Sequence, residues 1–500
     1  MDAEALEVPP DPAALIESMR AFGYSLPAAV ADLIDNSISA GARKIDVEFR
    51  WDGTNSTVAI LDTGEGMNEA TLVEAMRLGS RSPVEQRAPT DLGRYGLGLK
   101  SAAWSQARNL TVLSRRRGEP ILTRRWDLDH VTATGRWSLL SAGSTTAEAM
   151  ARRLEEEASG TVVLLERPDR LVGDARPDDE GARDRFLGAL RRVSLHLGMV
   201  FHRFLAGRNR IVIRVNEQPV EPWDPFLEDN DATQRRPTED LAFAGGRVHV
   251  APYVLPHASK IDRDTHSRAG GEHGWNAHQG FYVYRARRLL VAGDWLGLRR
   301  MQQEEHYKLA RIRIDLDNAM DEGWQIDVRK ATARIPGPLQ PELYRIAQAT
   351  RRHASEAYRF RGKSIARRTD RQSSLSFVWE RTTHRGGAHF FRINRRHPVL
   401  AALTGGSSDA RRLVERALRL AEENIPVEAI VMDAREYPNE SRHLPFGQDL
   451  TEVAEILREA HRAMVETGTE ADVALRALAT IEPFESHPQV LQAYKEEMEP

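Results

Sequence analysis

Three short polar motifs at set intervals in the first 100 residues constrain this chain more than any other feature. The first ends at Asn36, the second begins at Asp62 and the third begins at Gly93, so the intervals are 26 and 31 residues. Apolar segments with helical or strand-like spacing lie before and between the first two motifs. Each motif alone is common in proteins, whereas the three together in this order are specific enough to indicate one class of protein.

The first motif, Asp32-Leu33-Ile34-Asp35-Asn36, lies on a predicted helix. Apolar residues recur at helical spacing over 15–40, and breaks at Gly23 and Pro27 divide this range into two helices. Asp32 and Asn36 are four residues apart and share one helix face. An amide oxygen can bind Mg²⁺, and a carboxylate one turn away can orient or deprotonate water. The same pattern is also typical of a solvated acidic face.

The second motif, DxGxG, follows an apolar strand predicted over 57–62. A carboxylate only accepts hydrogen bonds, so Asp62 can bind the amino group of adenine and would repel the carbonyl of guanine. Gly64 and Gly66 allow the backbone to approach a flat base, and Met67 completes the segment. A plain turn is the alternative interpretation of DxGxG.

The third motif is rich in glycine and runs into a predicted helix. Closely spaced glycines leave backbone N–H groups available for phosphates, and a helix N-terminus favours anions. A Walker loop is excluded because Gly-Leu-Lys-Ser replaces Gly-Lys-Ser/Thr, and no buried strand precedes the motif as a dinucleotide fold requires. The residues predicted to contact phosphate are Gly93, Arg94, Tyr95, Gly96, Leu97, Gly98, Leu99 and Lys100.

In this order and spacing, the motifs resemble those of the GHKL ATPases, the superfamily of gyrase, heat-shock chaperones, histidine kinases and MutL. A further segment around Thr161 is similar to the Gly-Thr strand behind the adenine pocket of that family. Within the superfamily, residues 32–42 resemble the MutL and MORC helix, and residues 93–102 resemble the MORC lid. The resemblance covers about residues 10–345 and implies ATP and Mg²⁺ as ligands.

The resemblance also implies the fold and domain order. We predict a mixed α/β (α+β) protein: a short arm, a Bergerat-type ATP-binding α/β sandwich, an S5-like transducer and a mostly helical C-terminal region. The predicted boundaries are 1–14, 15–200, 201–345 and 346–500.

The apolar pattern predicts the elements within these domains. A loop is predicted over 167–184, and a long polar loop with four histidines over 256–279, where a metal site is disfavoured. Helices are predicted near 183–204 and 338–359. Strands are predicted at 45–49, 57–62, 109–114, 121–126, 161–166, 211–215, 247–254, 280–284 and 310–316, with the strand at 211–215 beginning the second domain.

Two residues are predicted to act in catalysis. Residues 324–330 resemble the transducer segment of MutL-type proteins, whose lysine reaches the γ-phosphate, and Lys330 matches it. The family's general base is usually Glu at the position of Asp32. Asp is one methylene shorter, so the resemblance implies slow hydrolysis. Asp35 is the alternative base, although its position is predicted to point it elsewhere.

Composition excludes several classes of protein. No cysteine is present, which excludes disulfides and thiolate chemistry, and a net charge of −3 is unlike a basic nucleic-acid coat. No apolar run approaches 18 residues, and the acidic, proline-rich N-terminus is unlike a signal peptide. These features predict a cytoplasmic protein without a membrane span.

The C-terminal region contains two opposite charge blocks. Residues 351–400 hold 13 basic and 3 acidic residues, whereas 401–500 hold 10 basic and 20 acidic residues. The basic block predicts sequence-independent DNA binding, and its pairing with the acidic block is the alternative. The candidate DNA contacts are Arg359, Arg361, Lys363, Arg367, Arg368 and Arg371.

The resemblance implies an ATP-gated homodimeric clamp that acts with DNA and with nuclease or helicase partners, in a phage-defence or restriction setting. Two other functions stay open at this point. One is a nucleotide-sensing scaffold with little turnover, and the other is a heat-shock-type chaperone.

Overall fold

The structure is a computed structural model, and the chain divides into two compact units, residues 1–364 and 365–500. Among the residues that the structure describes, no helix is both long and apolar enough to cross a membrane. The residues that the structure describes are 10–21, 23–79, 98–317, 320, 323–326, 333–359, 379–383, 389–395, 400, 408–425, 450–466, 468–479, 484 and 487–498.

The first unit begins with a mixed α/β domain. Seven described strands form one sheet in the order β4-β3-β5-β2-β1-β6-β7, antiparallel except where β1 pairs with β6. Its strands are β1 (Lys44–Arg50), β2 (Thr57–Asp62), β3 (Asn109–Arg115), β4 (Leu122–Asp127), β5 (Gly160–Glu166), β6 (Val212–Val215) and β7 (Gln218–Pro219). Its helices are α1 (Pro12–Arg20), α2 (Leu26–Ser39), α3 (Glu69–Met76), α4 (Gly98–Trp104), α5 (Leu128–Thr134), α6 (Thr145–Glu155), α7 (Asp169–Val172), α8 (Glu180–Val200) and α9 (His202–Leu205).

The main core of this domain lies on one face of the sheet. Helices α1, α2, α4 and α8 bury their apolar residues there against alternate residues of β1, such as Ile45 and Val47. A smaller cluster on the opposite face packs Leu154 of α6 against Leu61 and Val162. Strand β2 therefore lies between two apolar layers and is buried at every position, as its unbroken apolar sequence predicts.

The second part of this unit is built on another sheet. Six described strands take the order β12-β11-β13-β10-β8, with β9 paired to β10, and α12 packs its apolar face on one side. The strands are β8 (Gln234–Arg235), β9 (Glu239–Phe243), β10 (Gly246–Val254), β11 (Gly280–Arg285), β12 (Arg288–Asp294) and β13 (Ala310–Leu316). The helices are α10 (Arg263–Ala269), α11 (Gly274–Ala277) and α12 (Gln340–Arg359), with 3-10 turns at Ala258–Lys260, Glu305–Tyr307 and Gly337–Leu339.

The other side of the second sheet is aromatic and meets the end of α8 and α9. The hydroxyl of Tyr284 lies 2.8 Å from Nε2 of His202, and the guanidinium of Arg203 stacks 3.5 Å from the Tyr284 ring centroid. Arg203 also pairs with Asp315 of β13. Burial lowers the pKa of His202 to about 3, so at neutral pH this contact is an uncharged hydrogen bond.

The unit formed by residues 365–500 is described in separate segments. It contains a two-stranded hairpin, β14 (Trp379–Thr383) and β15 (His389–Ile393). Arg395, just after β15, pairs with Glu422 of a helix. Its helices are α13 (Ser408–Glu423), α14 (Leu450–Glu466), α15 (Ala471–Leu478) and α16 (Pro488–Met498). The last three share a small apolar core around Val453, Leu457 and Leu478.

The fold class is confirmed, and several predicted elements need correction. The strand predicted at 211–215 pairs with β1 and belongs to the first sheet, because its alternating apolar residues complete the core beside β1. The loop predicted over 167–184 contains α7 and the start of α8. The loop predicted over 256–279 contains the turn of residues 258–260, α10 and α11, because local caps such as Asp262 begin helices without long apolar patterns.

Candidate functional site

Helix α2 carries the first motif through the core of the domain. Ser25 caps its N-terminus, and Pro27 lies in the first turn, where a proline favours helix initiation. Asp32 and Asp35 are buried, whereas Asn36 is exposed. The amide of Asn36 is therefore accessible near the end of α2, and its oxygen is of the chemical type that binds Mg²⁺.

The carboxylate of Asp62 lies at the end of β2 and is held from two sides. One oxygen accepts a hydrogen bond from the backbone N–H of Gly64 at 2.8 Å, and the other accepts from the hydroxyl of Ser37 at 2.8 Å. Burial raises the pKa of Asp62, and these hydrogen bonds oppose that shift. The motif residues Asp62 and Gly64 are thus joined to Ser37, a residue that motif reasoning missed although it directly follows Asn36.

A pair of hydroxyl groups lies beside Asp62 on the neighbouring strands. Thr161 pairs with Asp62 across β2 and β5, and its hydroxyl oxygen lies 2.9 Å from that of Ser114 on β3. The backbone N–H of Met67 donates to Ser114 at 2.9 Å. Thr161 and Met67, both predicted for the site, are therefore brought together by Ser114. No sequence motif marked Ser114, which lies in a strand that is buried at all but its last position.

Two glycines near Asp62 are required by close packing. Gly66 has a positive φ of 71°, and a Cβ there would lie 2.0 Å from the carbonyl oxygen of Arg115. A Cβ on Gly160 would lie 2.1 Å from the carbonyl oxygen of Asp62. Neither position can carry a side chain without moving a strand of the sheet, so both glycines hold the backbone around Asp62 in place.

The third motif is described only from Gly98 onward. Gly98 and Leu99 begin α4, and Lys100 is 2% exposed, with its ammonium donating to the carbonyl of Ala75 at 2.9 Å. Burial lowers the pKa of Lys100 to about 8, although Glu74 opposes this shift. Several residues predicted to contact phosphate or DNA, or to act in catalysis, lie outside the described residues: Gly93, Arg94, Tyr95, Gly96, Leu97, Lys330, Arg361, Lys363, Arg367, Arg368 and Arg371. The remaining candidate DNA contact, Arg359, is the last residue of α12.

The two carboxylates of the first motif meet at one guanidinium. Nη2 of Arg288 donates to Asp32 at 3.2 Å, and Nε of Arg288 donates to Asp35 at 2.8 Å. The other oxygen of Asp32 accepts from the hydroxyl of Tyr24 at 2.9 Å. The prediction that Asp35 points away from Asp32 is wrong, because residues three apart on a helix lie on the same face. Sequence reasoning also missed Arg288, which comes from the second sheet.

The described features are a buried hydrogen-bond acceptor at Asp62, an exposed amide at Asn36 and a buried carboxylate pair at Asp32 and Asp35. Residues 24–161 match the family model described as histidine kinase-, DNA gyrase B- and HSP90-like ATPase. The N-terminal region therefore contains a GHKL-type ATPase domain.

Three proteins with similar segments place this domain near the MORC and MutL ATPases. ATPase morc-1 of Caenorhabditis elegans is 30% identical over 90 residues, 18% of this chain and 10% of the relative. Protein MICRORCHIDIA 5 of Arabidopsis thaliana is 33% identical over 96 residues, 18% of this chain and 13% of the relative. The DNA mismatch repair protein MutL of Opitutus terrae is 37% identical over 70 residues, 14% of this chain and 11% of the relative. The matched part of this chain thus spans about a tenth of each relative.

The position of Asp62 leads to a prediction about base selectivity. Asp62→Ala removes a charged acceptor from a buried site, so we expect the dissociation constant for ATP to rise about 10- to 100-fold. Wild-type protein should bind GTP much more weakly than ATP, because guanine presents a carbonyl where adenine donates. Calorimetric titration with both nucleotides measures these constants.

Glu65→Ala is the matched control, since Glu65 belongs to the same motif and is exposed. Its affinity for ATP should equal that of the wild type. Equal affinity of the wild type for ATP and GTP, or normal binding by Asp62→Ala, would show that Asp62 does not select the base.

Proposed function

We propose that this protein binds Mg-ATP at α2, β2 and β5 and hydrolyses it slowly, and that ATP binding drives its N-terminal domains together. The observation that carries this proposal is the carboxylate of Asp62, held by Ser37 and Gly64 within a domain that matches the GHKL family model. A buried acceptor-only group beside two strand hydroxyls suits the amino edge of adenine.

Each group of the site has a proposed part. Asp62 accepts from adenine, with Thr161 beside it, and the exposed amide of Asn36 holds Mg²⁺. The magnesium ion would neutralise phosphate charge. The glycine-rich segment from Gly93 to Gly98 contacts the phosphates, whereas the ammonium of Lys100 is buried against the carbonyl of Ala75. Lys330 approaches the γ-phosphate, where a positive charge stabilises the transition state. Asp32 accepts the proton of the attacking water.

The larger mechanism is a homodimeric clamp. One similar protein is named a DNA mismatch repair protein, and the basic block of residues 351–400 supports a DNA contact for this chain as well. Candidate contacts are Arg359 and the basic residues that follow it, up to Arg371. Nuclease or helicase partners and a role in phage defence complete the proposal, which rests here on the resemblance to MORC-like proteins.

ATP-driven dimerisation can be tested with a single crosslinking site. The chain contains no cysteine, and Ala14 is exposed near the start of α1, so Ala14→Cys provides a unique thiol. We expect the mass measured by light scattering to double, and a disulfide-linked dimer to form, with a non-hydrolysable ATP analogue but not with ADP or without nucleotide.

Asn36→Ala in the same background is the control and should stay monomeric with the analogue. If mass and crosslinking are the same in all three nucleotide states, the gated clamp is wrong. A constitutive dimer or a nucleotide-sensing scaffold would then replace it.

A further inference from the structure

The hairpin of β11 and β12 delivers an arginine from the second sheet to the catalytic helix of the first domain. Its two-residue turn, Ala286 and Arg287, has positive φ at both positions, 46° and 72°, as in a type I′ turn. Arg288 follows directly and is 4% exposed. Its guanidinium bridges Asp32 and Asp35 of α2, 256 and 253 residues away in the sequence.

The positive charge of Arg288 faces these two carboxylates. Its cross-strand neighbour is Arg285, and the uncharged groups beside it are Phe201, whose ring centroid lies 5.9 Å from the guanidinium carbon, and His196 of α8. The pKa of His196 is lowered to about 4, first by burial and second by Arg288, so this histidine is neutral at physiological pH. Arg288 is therefore shared between Asp32 and Asp35.

Both oxygens of Asp32 are engaged in this arrangement. One accepts from Arg288 and the other from Tyr24, and Asp32 is 3% exposed. A general base needs an oxygen that faces the attacking water, and a carboxylate paired with a guanidinium is a weaker proton acceptor. In this conformation Asp32 is restrained from accepting the proton of the attacking water, which is the role that the proposed function gives it.

We infer that Arg288 is a positioning residue that restrains Asp32, and that movement of the β11–β12 hairpin away from α2 releases this carboxylate for hydrolysis. This inference rests on the proposed ATPase function. The position of the hairpin is set by the second sheet, because β11 pairs in parallel with β13 from Gly280 to Arg285. A shift of that sheet relative to α2 would therefore act directly on the general base.

The first test is Arg288→Gln, which removes the charge and keeps a polar side chain. We expect kcat to rise about 10-fold with an unchanged KM for ATP, since a charge-assisted hydrogen bond no longer competes with proton transfer. A purely structural role for Arg288 would instead lower kcat or raise KM. Arg287→Gln is the matched control: Arg287 lies in the same turn, is exposed, and contacts the Arg203 carbonyl.

The second test is Asp35→Asn, which should act in the opposite direction. The side-chain amide oxygen at position 35 still accepts a hydrogen bond from Arg288, but Asp32 is then the only carboxylate that pairs with the guanidinium. Asp32 is therefore restrained more strongly, so kcat should drop severalfold. In the double variant Arg288→Gln with Asp35→Asn, kcat should equal that of Arg288→Gln, because Asp35 acts only through Arg288. Without Arg288, the double variant leaves one buried carboxylate unpaired instead of two, and unpaired buried charges destabilise a fold. If thermal unfolding shows that Arg288→Gln is unfolded, the double variant is therefore measured in its place.

The outcomes separate this inference from the proposed function. If Asp32→Ala abolishes turnover while Arg288→Gln leaves kcat unchanged or lowers it, the inference is wrong and the ATPase proposal stands. If Asp35→Asn and the double variant are both inactive, Asp35 is the base and the inference is wrong. If neither wild type nor Arg288→Gln hydrolyses the ATP that it binds, hydrolysis and the inference fail together.

Discussion

Replacing Asn36 by alanine should abolish Mg²⁺-dependent binding of ATP. Asn36 is exposed near the end of α2, and its amide oxygen is the group proposed to bind the metal. We expect the affinity for Mg-ATP to fall about 100-fold or more, since even residues that only support metal ligands contribute about 10- to 100-fold. Binding is measured by calorimetry with ATP in the presence of Mg²⁺ and in the presence of a chelator.

The result is the difference between the ATP affinity measured with Mg²⁺ and the affinity measured with the chelator. Wild-type protein should lose affinity when Mg²⁺ is removed, whereas Asn36→Ala should show one weak affinity in both conditions. Asn55→Ala, at an exposed asparagine in the turn between β1 and β2, should behave as wild type. A variant at residue 36 that keeps the full Mg²⁺ effect would remove Asn36 from the metal site.

Replacing Asp32 by alanine should lower kcat about 100-fold or more while leaving ATP binding nearly unchanged. Loss of the proposed general base affects proton transfer and leaves the proposed adenine and metal contacts in place. Single-turnover phosphate release measures the rate, and calorimetry measures binding of the non-hydrolysable analogue.

Asp32→Glu is the informative companion variant. It restores the side-chain length usual in the GHKL family, so kcat should be kept or raised, because a carboxylate misplaced by about 1 Å can cost about 100-fold. Normal turnover by Asp32→Ala would assign the reaction to Asp35 or another group. A large loss of nucleotide affinity in Asp32→Ala would instead give Asp32 a binding role.

Much of the ATP-binding domain could be predicted because its signals are local. The strand predicted at 57–62 is β2, and the two helices predicted over 15–40 are α1 and α2, with Gly23 between them and Pro27 in the first turn of α2. The unbroken apolar pattern of β2 reflects burial on both faces, which depends only on residue type along a short segment. The spacing of the motifs likewise predicts Asp62 and Asn36 as site residues, and these assignments stay predictions.

The hairpin that carries Arg288 could not be predicted in this way. Its turn is Ala286-Arg287, without the glycine or asparagine that positive φ normally favours, so no turn signal separates β11 from β12. The surrounding strands force this conformation on the turn. A rule based on local preference therefore fails here, because strand pairing outweighs it.

The sequence by itself determined the family of the N-terminal ATPase domain, the order of motifs and the chemical types present at the candidate site, because each depends on neighbouring residues and their spacing. Only the tertiary structure decided which groups meet: Ser37 with Asp62, Ser114 with Thr161, and Arg288 with both Asp32 and Asp35. The last contact joins residues more than 250 positions apart. Buried charges must find partners wherever the packed chain brings them, and spacing along the sequence does not specify that meeting.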